Sequence, residues 1–341
     1  LGGVDAVPIC LKTTDPEEII SAVKWLQPSF GGINLEDIAQ PKCFEILDRL
    51  RAECEIPVWH DDQQGTAAVI LAAFINAVRL VGKSLGGVKV AMVGAGAANM
   101  RTVHMLIAAG VDAAKIVMCD SKGTLHKGRH DLEGAPGPKW GMCQITNGEG
   151  IVGGVEAAMA GADAVIGCSQ PGPGVILPQW VRGMGTDPIV FACANPVPEI
   201  WPWEAKEAGA VVFATGRSDF PNQANNSLGF PAIFRGALDV RATAITDEMC
   251  IAAARELAAV AEEKGLRADY IIPTMDEWEI YPREAAAVGT AAIKQGVARL
   301  SLSWDELHAS AERAIRHSRG LTQMMMKEGF IAMPPEPDGG K

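Results

Sequence analysis

Residues 87–120 read GVKVAMVGAGAANMRTVHMLIAAGVDAAKIVMCD. Val88 to Val93 is a short apolar run rich in β-branched residues, which predicts a buried strand. It ends in Gly94, Ala95, Gly96, Ala97, Ala98 and Asn99. Met100 to Ala109 then reads as a helix stopped by Gly110, and Lys115 to Cys119 as a second strand closed by Asp120. Strand, glycine turn, helix, strand and acid in this order predict a dinucleotide-binding unit. Gly94 permits the tight turn. Gly96 lets the backbone approach a pyrophosphate seated on the helix N-terminus, where free N–H groups point outward. Asp120 is placed to bond a ribose hydroxyl. Asn99 stands where the third glycine of the pattern usually falls. The bland alternative is an ordinary βαβ crossover with a glycine turn.

The rest of the chain fits a globular protein. Its 341 residues suffice for about two domains with large cores. It is 48% hydrophobic and 21% charged, which excludes disordered and fibrous classes. A formal charge of −11 argues against nucleic acid and anionic membrane partners, although a local basic pocket for a phosphate stays open. No apolar run approaches the length of a bilayer span. The chain opens at Leu1 without a methionine, so a fragment is one expectation. Its eight cysteines form no CxxC and no zinc spacing with histidine, which predicts reduced thiols in a cytoplasmic protein.

Upstream of the glycine turn, Val4 to Leu11 reads as a strand, 15–26 as a helix opened by Asp15-Pro16, and Phe30 to Leu35 as a strand followed by Glu36-Asp37. Pro41 to Cys54 reads as a helix, Ile56 to Trp59 as a strand followed by His60-Asp61-Asp62, and Ala67 to Val81 as a long apolar helix. Two successive strand ends therefore deliver Glu36, Asp37, Asp61 and Asp62. Ligands in open α/β sheets sit beyond such ends, and four acids converging there repel one another unless a cation holds them. Oxygen ligands suit Mg²⁺ or Mn²⁺. The alternative is solvated loop acids, with Asp62 as a helix N-cap.

Downstream, 121–148 reads as irregular. Ser121, Lys122, Lys127 and Arg129 lie close behind Asp120, either as a solvated surface loop or as a 2′-phosphate pocket of the kind that accommodates NADP. Gly150 to Ala160 reads as a short helix. Strands are expected at 164–168, 189–193 and 209–214, ending in Ser169-Gln170-Pro171, Ala194-Asn195-Pro196 and a loop that carries Asn222, Asn225 and Asn226. Ser169 would then face the cofactor. Asn195 either bonds a substrate or amide oxygen or simply forms a turn before proline. Helices are expected at 235–240, 247–264, 283–300 and 304–320, with a loose tail from Pro334 to Lys341.

Several stretches together resemble malic enzyme in its compact bacterial form: GGINLEDIAQPKCFEI (31–46), VWHDDQQGTAAVILAA (58–73), VGAGAANM (93–100), ANPVPEI (194–200), TGRSDFPNQANNSLGFPAIFRGALDVRA (215–242) and YIIP (270–273). The resemblance covers roughly residues 1–300. It implies oxidative decarboxylation of L-malate to pyruvate and CO₂ with NAD or NADP, the basic loop leaning to NADP, and with Mg²⁺ or Mn²⁺. Carried over by position, Glu36, Asp37 and Asp62 resemble the metal ligands. Asp61 resembles a neighbour supporting the acid–base machinery. Asn195, Asn225 and Asn226 resemble substrate-binding amides, and Gly94, Gly96, Ala97, Ala98, Asn99, Asp120, Ser121, Lys122, Ser169 and Asn195 the cofactor contacts. The implied fold is α/β, with a Rossmann-type doubly wound parallel sheet at 62–225. The flanks, 1–61 and 226–341, would form a second, truncated α/β domain. A homodimer or higher homo-oligomer is implied, with no nucleic acid and no membrane partner. The family's catalytic lysine and tyrosine lie upstream of the motif that falls here at 3–11, and Tyr270 and Tyr281 do not match that tyrosine's motif. Those groups are expected from a preceding segment or another chain. The alternatives are a related 2-hydroxy-acid decarboxylase or malolactic enzyme, and a non-catalytic dinucleotide-binding fragment.

Overall fold

A computed structural model describes residues 1–333; the expected tail at 334–341 lies outside them. The first 15 residues form no strand, so the expectation at Val4 to Leu11 is corrected. Val7 and Ile9 are exposed there, and the stretch pairs with no strand among the described residues; an apolar pattern without a partner strand does not make a sheet.

The chain then enters α1 (Pro16–Leu26), whose Asp15 side chain caps the N–H groups of Glu17 and Glu18. Strand β1 (Ile33–Leu35), α2 (Lys42–Glu53) and β2 (Val58–His60) follow. The two strands pair in parallel, Ile33 opposite Val58 and Leu35 opposite His60. Ile19, Ile20, Leu35, Ile46, Leu47, Leu50 and Val58 close a small core beneath them.

After a five-residue π-turn at Asp61–Gly65 comes α3 (Thr66–Leu80), apolar nearly all round and almost wholly buried. It delivers the chain to a six-stranded sheet: β3 (Val90–Val93), β4 (Ile116–Asp120), β5 (Gly123–Thr124), β6 (Ala164–Gly167), β7 (Ile189–Ala192) and β8 (Val212–Thr215). The order is β5-β4-β3-β6-β7-β8, parallel except for the β4–β5 pair. The chain winds outward in one direction from β3 and in the other from β6, so the topological switch point, where such sheets bind ligands, lies between those two strands.

Alternate residues of each strand feed different layers, as the period of two demands. Val90, Met92, Ile166 and Phe191 join one core with α3 and α4 (Ala97–Ala109). Ala91, Val93, Val165 and Val190 join a second core with α6 (Val155–Met159), α7 (Pro178–Arg182) and α8 (Pro202–Glu207). Another short helix, α5 (Lys139–Ile145), lies in the stretch expected to be irregular. Buried Met142 and Cys143 anchor it to the first core. Helices α7 and α8 were also not anticipated, because segments of five and six residues carry too few turns to show a period.

Of the C-terminal helices α9 (Phe230–Asp239), α10 (Asp247–Glu263), α11 (Ile280–Lys294) and α12 (Trp304–Lys327), α10 packs on α3, α11 on α10 and α9, and α12 on α11, and their apolar faces extend the first core. Arg101 of α4 donates to Asp247 of α10 at 2.8 Å, and Arg51 of α2 lies 3.6 Å from the same carboxylate, so one acid ties three elements.

Asn222 belongs to this framework. Its buried amide donates to the carbonyls of Phe213 and Ala268 at 2.9 and 2.8 Å and accepts from the Ile271 N–H at 2.9 Å, joining β8 to the segment before α11. Asn222→Ala removes three backbone hydrogen bonds, two of them buried, and should destabilise the fold by about 2–4 kcal/mol, measured as a lowered denaturant midpoint at unchanged slope.

Candidate active site

The β1–β2 register places the residues after Leu35 beside those after His60, so Glu36-Asp37 and Asp61-Asp62 emerge together. The Asp37 N–H donates to Asp62 Oδ2 at 2.9 Å, and Asn34 Nδ2 donates to Glu36 Oε2 at 2.8 Å. Among the described residues, no three His, Cys, Asp or Glu side chains form a closed ligand set. The acids share an electrostatic neighbourhood instead. Burial, together with the charges of Asp62 and Asp37, raises the Glu36 carboxyl above its usual range against the opposing Asn34 hydrogen bond.

Asp61 is the most perturbed of the four acids. It is 4% exposed, and burial first, then the charges of Glu36 and Asp62, push its pKa up to about 8. Its Oδ2 accepts a hydrogen bond from Asn226 Nδ2, while its buried Oδ1 has no partner. Gly65 makes this position possible: a Cβ there would lie 2.0 Å from Asp61 Oδ1. The π-turn brings residues 61 and 65 into that contact, and such wide turns concentrate at functional sites. His60 is fully buried with neither ring nitrogen hydrogen-bonded, and its Nδ1 lies 3.6 Å from Asp62 Oδ2. Gln64 accepts from the His60 N–H at 3.3 Å. The roles of Gly65, His60 and Gln64 were not foreseen. The only sequence signal for them was their place within one continuous polar run between a strand and an apolar helix.

The glycine turn lies where the switch point requires. Gly94 has φ +96°, and a Cβ there would come within 2.8 Å of the Cys168 carbonyl and 3.0 Å of Ser169 Cβ, so this glycine sets the approach of β6 to β3. Gly96 faces open space, with nothing within 4 Å of a Cβ built on it. It precedes α4, whose first residues Ala97 and Ala98 are half-buried and whose N-terminus carries no side-chain cap. Free N–H groups at a helix start form an anion site. Asn99 is fully buried and turned inward: its Nδ2 donates to the carbonyls of Val93 and Gly94, both at 2.9 Å. Where a third glycine would let helix and strand approach, Asn99 clamps the turn from beneath.

At the end of β4, Asp120 meets a fork from Arg129, whose Nη1 and Nη2 donate to Oδ1 and Oδ2 at 3.0 and 3.1 Å. The Lys122 N–H adds 2.9 Å to Oδ1, and Lys139 Nζ lies 3.4 Å from Oδ2. Burial opposes ionisation of Asp120, but these donors outweigh it and hold its pKa below the usual range. The Lys122 side chain goes elsewhere: it is 70% exposed and pairs with Asp131 at 3.2 Å, while Ser121 is exposed. The cations that meet Asp120 are therefore Arg129 and Lys139. Lys139 sits on the unforeseen α5, which explains why the sequence concealed it.

Beyond β7 and β8, the expected amides divide. Asn195 is exposed, and its Nδ2 lies 2.8 Å from where a Cβ on Gly216 would stand. Asn225 donates to the Gly216 carbonyl at 3.2 Å and caps the following turn through the Ser227 N–H at 3.0 Å. Asn226 reaches Asp61. Asn195 and Asn225 thus gather at Gly216, while Asn226 reaches the acids.

The displaced Asp61 titration has a consequence for stability. In the metal-free chain the folded state keeps a proton that the unfolded state, with its carboxyl at the ordinary 3.8, has already released. Rising pH therefore favours unfolding between about 4 and about 8, with a limiting slope of about 1.4 kcal/mol per pH unit, and the effect levels off above that window. Asp61→Asn should flatten this part of the stability profile, measured by denaturant titration across the window in a chelator.

The chain matches the family models described as "Malic enzyme, NAD binding domain" over residues 63–294 and "Malic enzyme, N-terminal domain" over residues 11–51. It is 49% identical to the bifunctional malic/malolactic enzyme of Bacillus subtilis, covering 89% of this chain and 73% of that protein. It is also 49% identical to the NAD-dependent malic enzyme of Geobacillus stearothermophilus, covering 87% of this chain but 60% of the relative. The NADP-dependent malic enzyme of Halomonas elongata is 42% identical over 87% of this chain and 72% of its own length. The crystal structure of Entamoeba histolytica malic enzyme superposes with a TM-score of 0.95 at 50% identity, over 98% of this chain and 71% of that one. That of the Pyrococcus horikoshii enzyme gives 0.91 at 49%, over 96% and 76%. A mixed α/β chain with this switch point, this acid cluster and these relatives belongs to the malic enzyme family.

Proposed function

We propose that the chain, completed by the lysine and tyrosine expected from a preceding segment or another chain, catalyses oxidative decarboxylation of L-malate to pyruvate and CO₂, reducing NADP in preference to NAD, with Mg²⁺ or Mn²⁺. The observation that carries the reading is the placement of two acid pairs at adjacent parallel strand ends, with Asn226, from the segment that follows the six-stranded sheet, donating to Asp61. In the same reading, residues 62–225 are the dinucleotide domain, and 1–61 with 226–341 the substrate domain. Work in the cytoplasm is supported by eight unpaired cysteines, and association as a homodimer or higher oligomer by the exposed Val7, Ile9 and Leu11.

Each group has a task. The uncapped start of α4 and the space over Gly96 receive the pyrophosphate. Asn195, Asn225 and Asn226 orient the dicarboxylate so that its C2 hydrogen faces the crevice at the ends of β3 and β6. A dinucleotide bound over the glycine turn would supply the hydride acceptor. Glu36, Asp37 and Asp62 would hold the divalent ion, a fit supported by the raised Glu36 carboxyl and the orphaned Asp61 oxygen, and the ion supplies Lewis-acid polarisation of the C2 oxygen. Asp61, buried beside these acids, would support the acid–base groups that protonate and deprotonate the C2 oxygen and C3. Asn226 fixes its orientation. For cofactor choice, Asp120 and Asp131 face Arg129, Lys122 and Lys139, leaving one net positive charge where the ribose edge would lie. That balance favours a 2′-phosphate. Since the Bacillus subtilis relative's name carries both activities, the malolactic alternative is separated by product analysis: pyruvate with reduced dinucleotide, or lactate without it.

Two substitutions should separate the sites. Asp62→Asn should weaken Mn²⁺ binding more than tenfold by calorimetry and leave dinucleotide affinity nearly unchanged. Gly96→Val should do the reverse, abolishing dinucleotide binding by fluorescence titration, because its side chain fills the open space. If each variant loses both ligands or neither, the assignment fails. For cofactor choice, Arg129→Gln should lower the NADP-over-NAD affinity ratio by about tenfold, the scale of one charge-assisted hydrogen bond; an unmoved ratio would return the choice to NAD.

A further inference from the structure

Glu199 has no part in the reading above, yet it is a fully buried carboxylate that pairs with no cation among the described residues. Both of its oxygens are engaged. Oε1 accepts from the Ser169 N–H at 2.9 Å and the Ser169 hydroxyl at 3.1 Å; Oε2 accepts from the Ala194 N–H at 3.0 Å. All three bonds are accepted and none donated, the pattern of a carboxylate held by N–H and O–H groups. Ser169 begins the loop after β6, which is the loop that presses on Gly94 of the dinucleotide turn. Ala194 immediately precedes Asn195 in the loop after β7. One side chain therefore grips the loop assigned to the dinucleotide with one oxygen and the loop assigned to the substrate with the other.

The surroundings are built to this carboxyl group. A Cβ on Gly167, the last residue of β6, would stand 2.8 Å from Glu199 Cδ, so only glycine admits it. The same two loops are joined by backbone bonds on either side, Gly172 N–H to the Val197 carbonyl at 3.1 Å and Ile176 N–H to the Glu199 carbonyl at 3.2 Å. Burying a carboxylate is costly and persists only where its hydrogen bonds are complete. Here they are complete only when both loops hold their present positions. Displacing either loop would break bonds to a fully buried group.

We infer that Glu199 is a positioning residue that couples the two ligand loops, so that ordering one by its ligand pre-orders the other. The inference rests on the proposed function above. Its signature is a coupling free energy between dinucleotide and substrate. Reduced dinucleotide and L-malate suit the test, because the pair cannot react. In the parent chain, saturating L-malate should tighten reduced-dinucleotide binding by about fivefold or more, read by nucleotide fluorescence. In Glu199→Gln, which keeps the shape but sets an NH₂ against the Ala194 N–H, the factor should fall toward one while each ligand alone still binds. Ser169→Ala, removing only the hydroxyl donor, should give an intermediate factor. Hydrogen exchange supplies a readout free of ligands: the Ser169 and Ala194 amides should lose protection together in Glu199→Gln, while the Cys168 amide, bonded to the Val93 carbonyl at 3.1 Å, keeps its own. A factor of one in the parent, an unchanged factor in the variants, or loss of protection at only one of the two amides overturns the coupling. Failure of the parent to bind dinucleotide at all would instead overturn the functional reading.

Discussion

The site depends on a carboxylate held against bare backbone. Asp61 lies on Gly65 with no room for one added carbon, at the start of a π-turn, under an amide from a segment 165 residues further along the chain. Burial and two neighbouring acids make ionisation costly there. That cost is tolerable because the environment is over-determined: β1 and β2 set the register, α3 anchors the far end of the turn, and Asn226 closes the top. The acids are thus pressed together by elements whose own stability comes from apolar packing. Such an arrangement stores electrostatic repulsion until a positive charge or a proton relieves it.

Much of the fold was legible because its decisive elements are long or regular. The short apolar runs at Val90–Val93 and Ile116–Asp120, the uniformly apolar α3 and the αL stop at Gly110 each follow a single local rule, and the structure keeps them within a few residues. Errors fell where local pattern lacked a tertiary context. Val4 to Leu11 is largely apolar but pairs with no strand among the described residues, and α5, α7 and α8 are too short to display a period. The irregular reading of 121–148 hid Lys139, and with it one of the two cations at Asp120.

For the site, motifs located the acids and the turn, and the structure divided the work among them. Asn99 and Asn222 illustrate the limit. Both are amides in motif-rich stretches, and both face inward to satisfy backbone carbonyls. Asn226, a few residues from Asn222, faces the acids. Composition cannot separate these fates, because an amide serves equally well as a scaffold and as a ligand contact; direction decides, and direction comes from which strand end the loop leaves. Glu199 was missed for the same reason. A glutamate after two prolines reads as an exposed turn residue until its three donors are seen.

The continuity of the first core has a consequence for how this architecture can be taken apart. Strand residues such as Phe191 and Ala214 share one apolar interior with α3 and with α10 and α11. The nucleotide-binding sheet is therefore not a cassette. Excised near residue 225, it would expose one entire apolar face, and grafted into another scaffold it would need a substitute for the C-terminal helices. Recombination between relatives should succeed at crossover points in the loops outside this interior, and fail where a seam passes between the sheet and the helices that cover it.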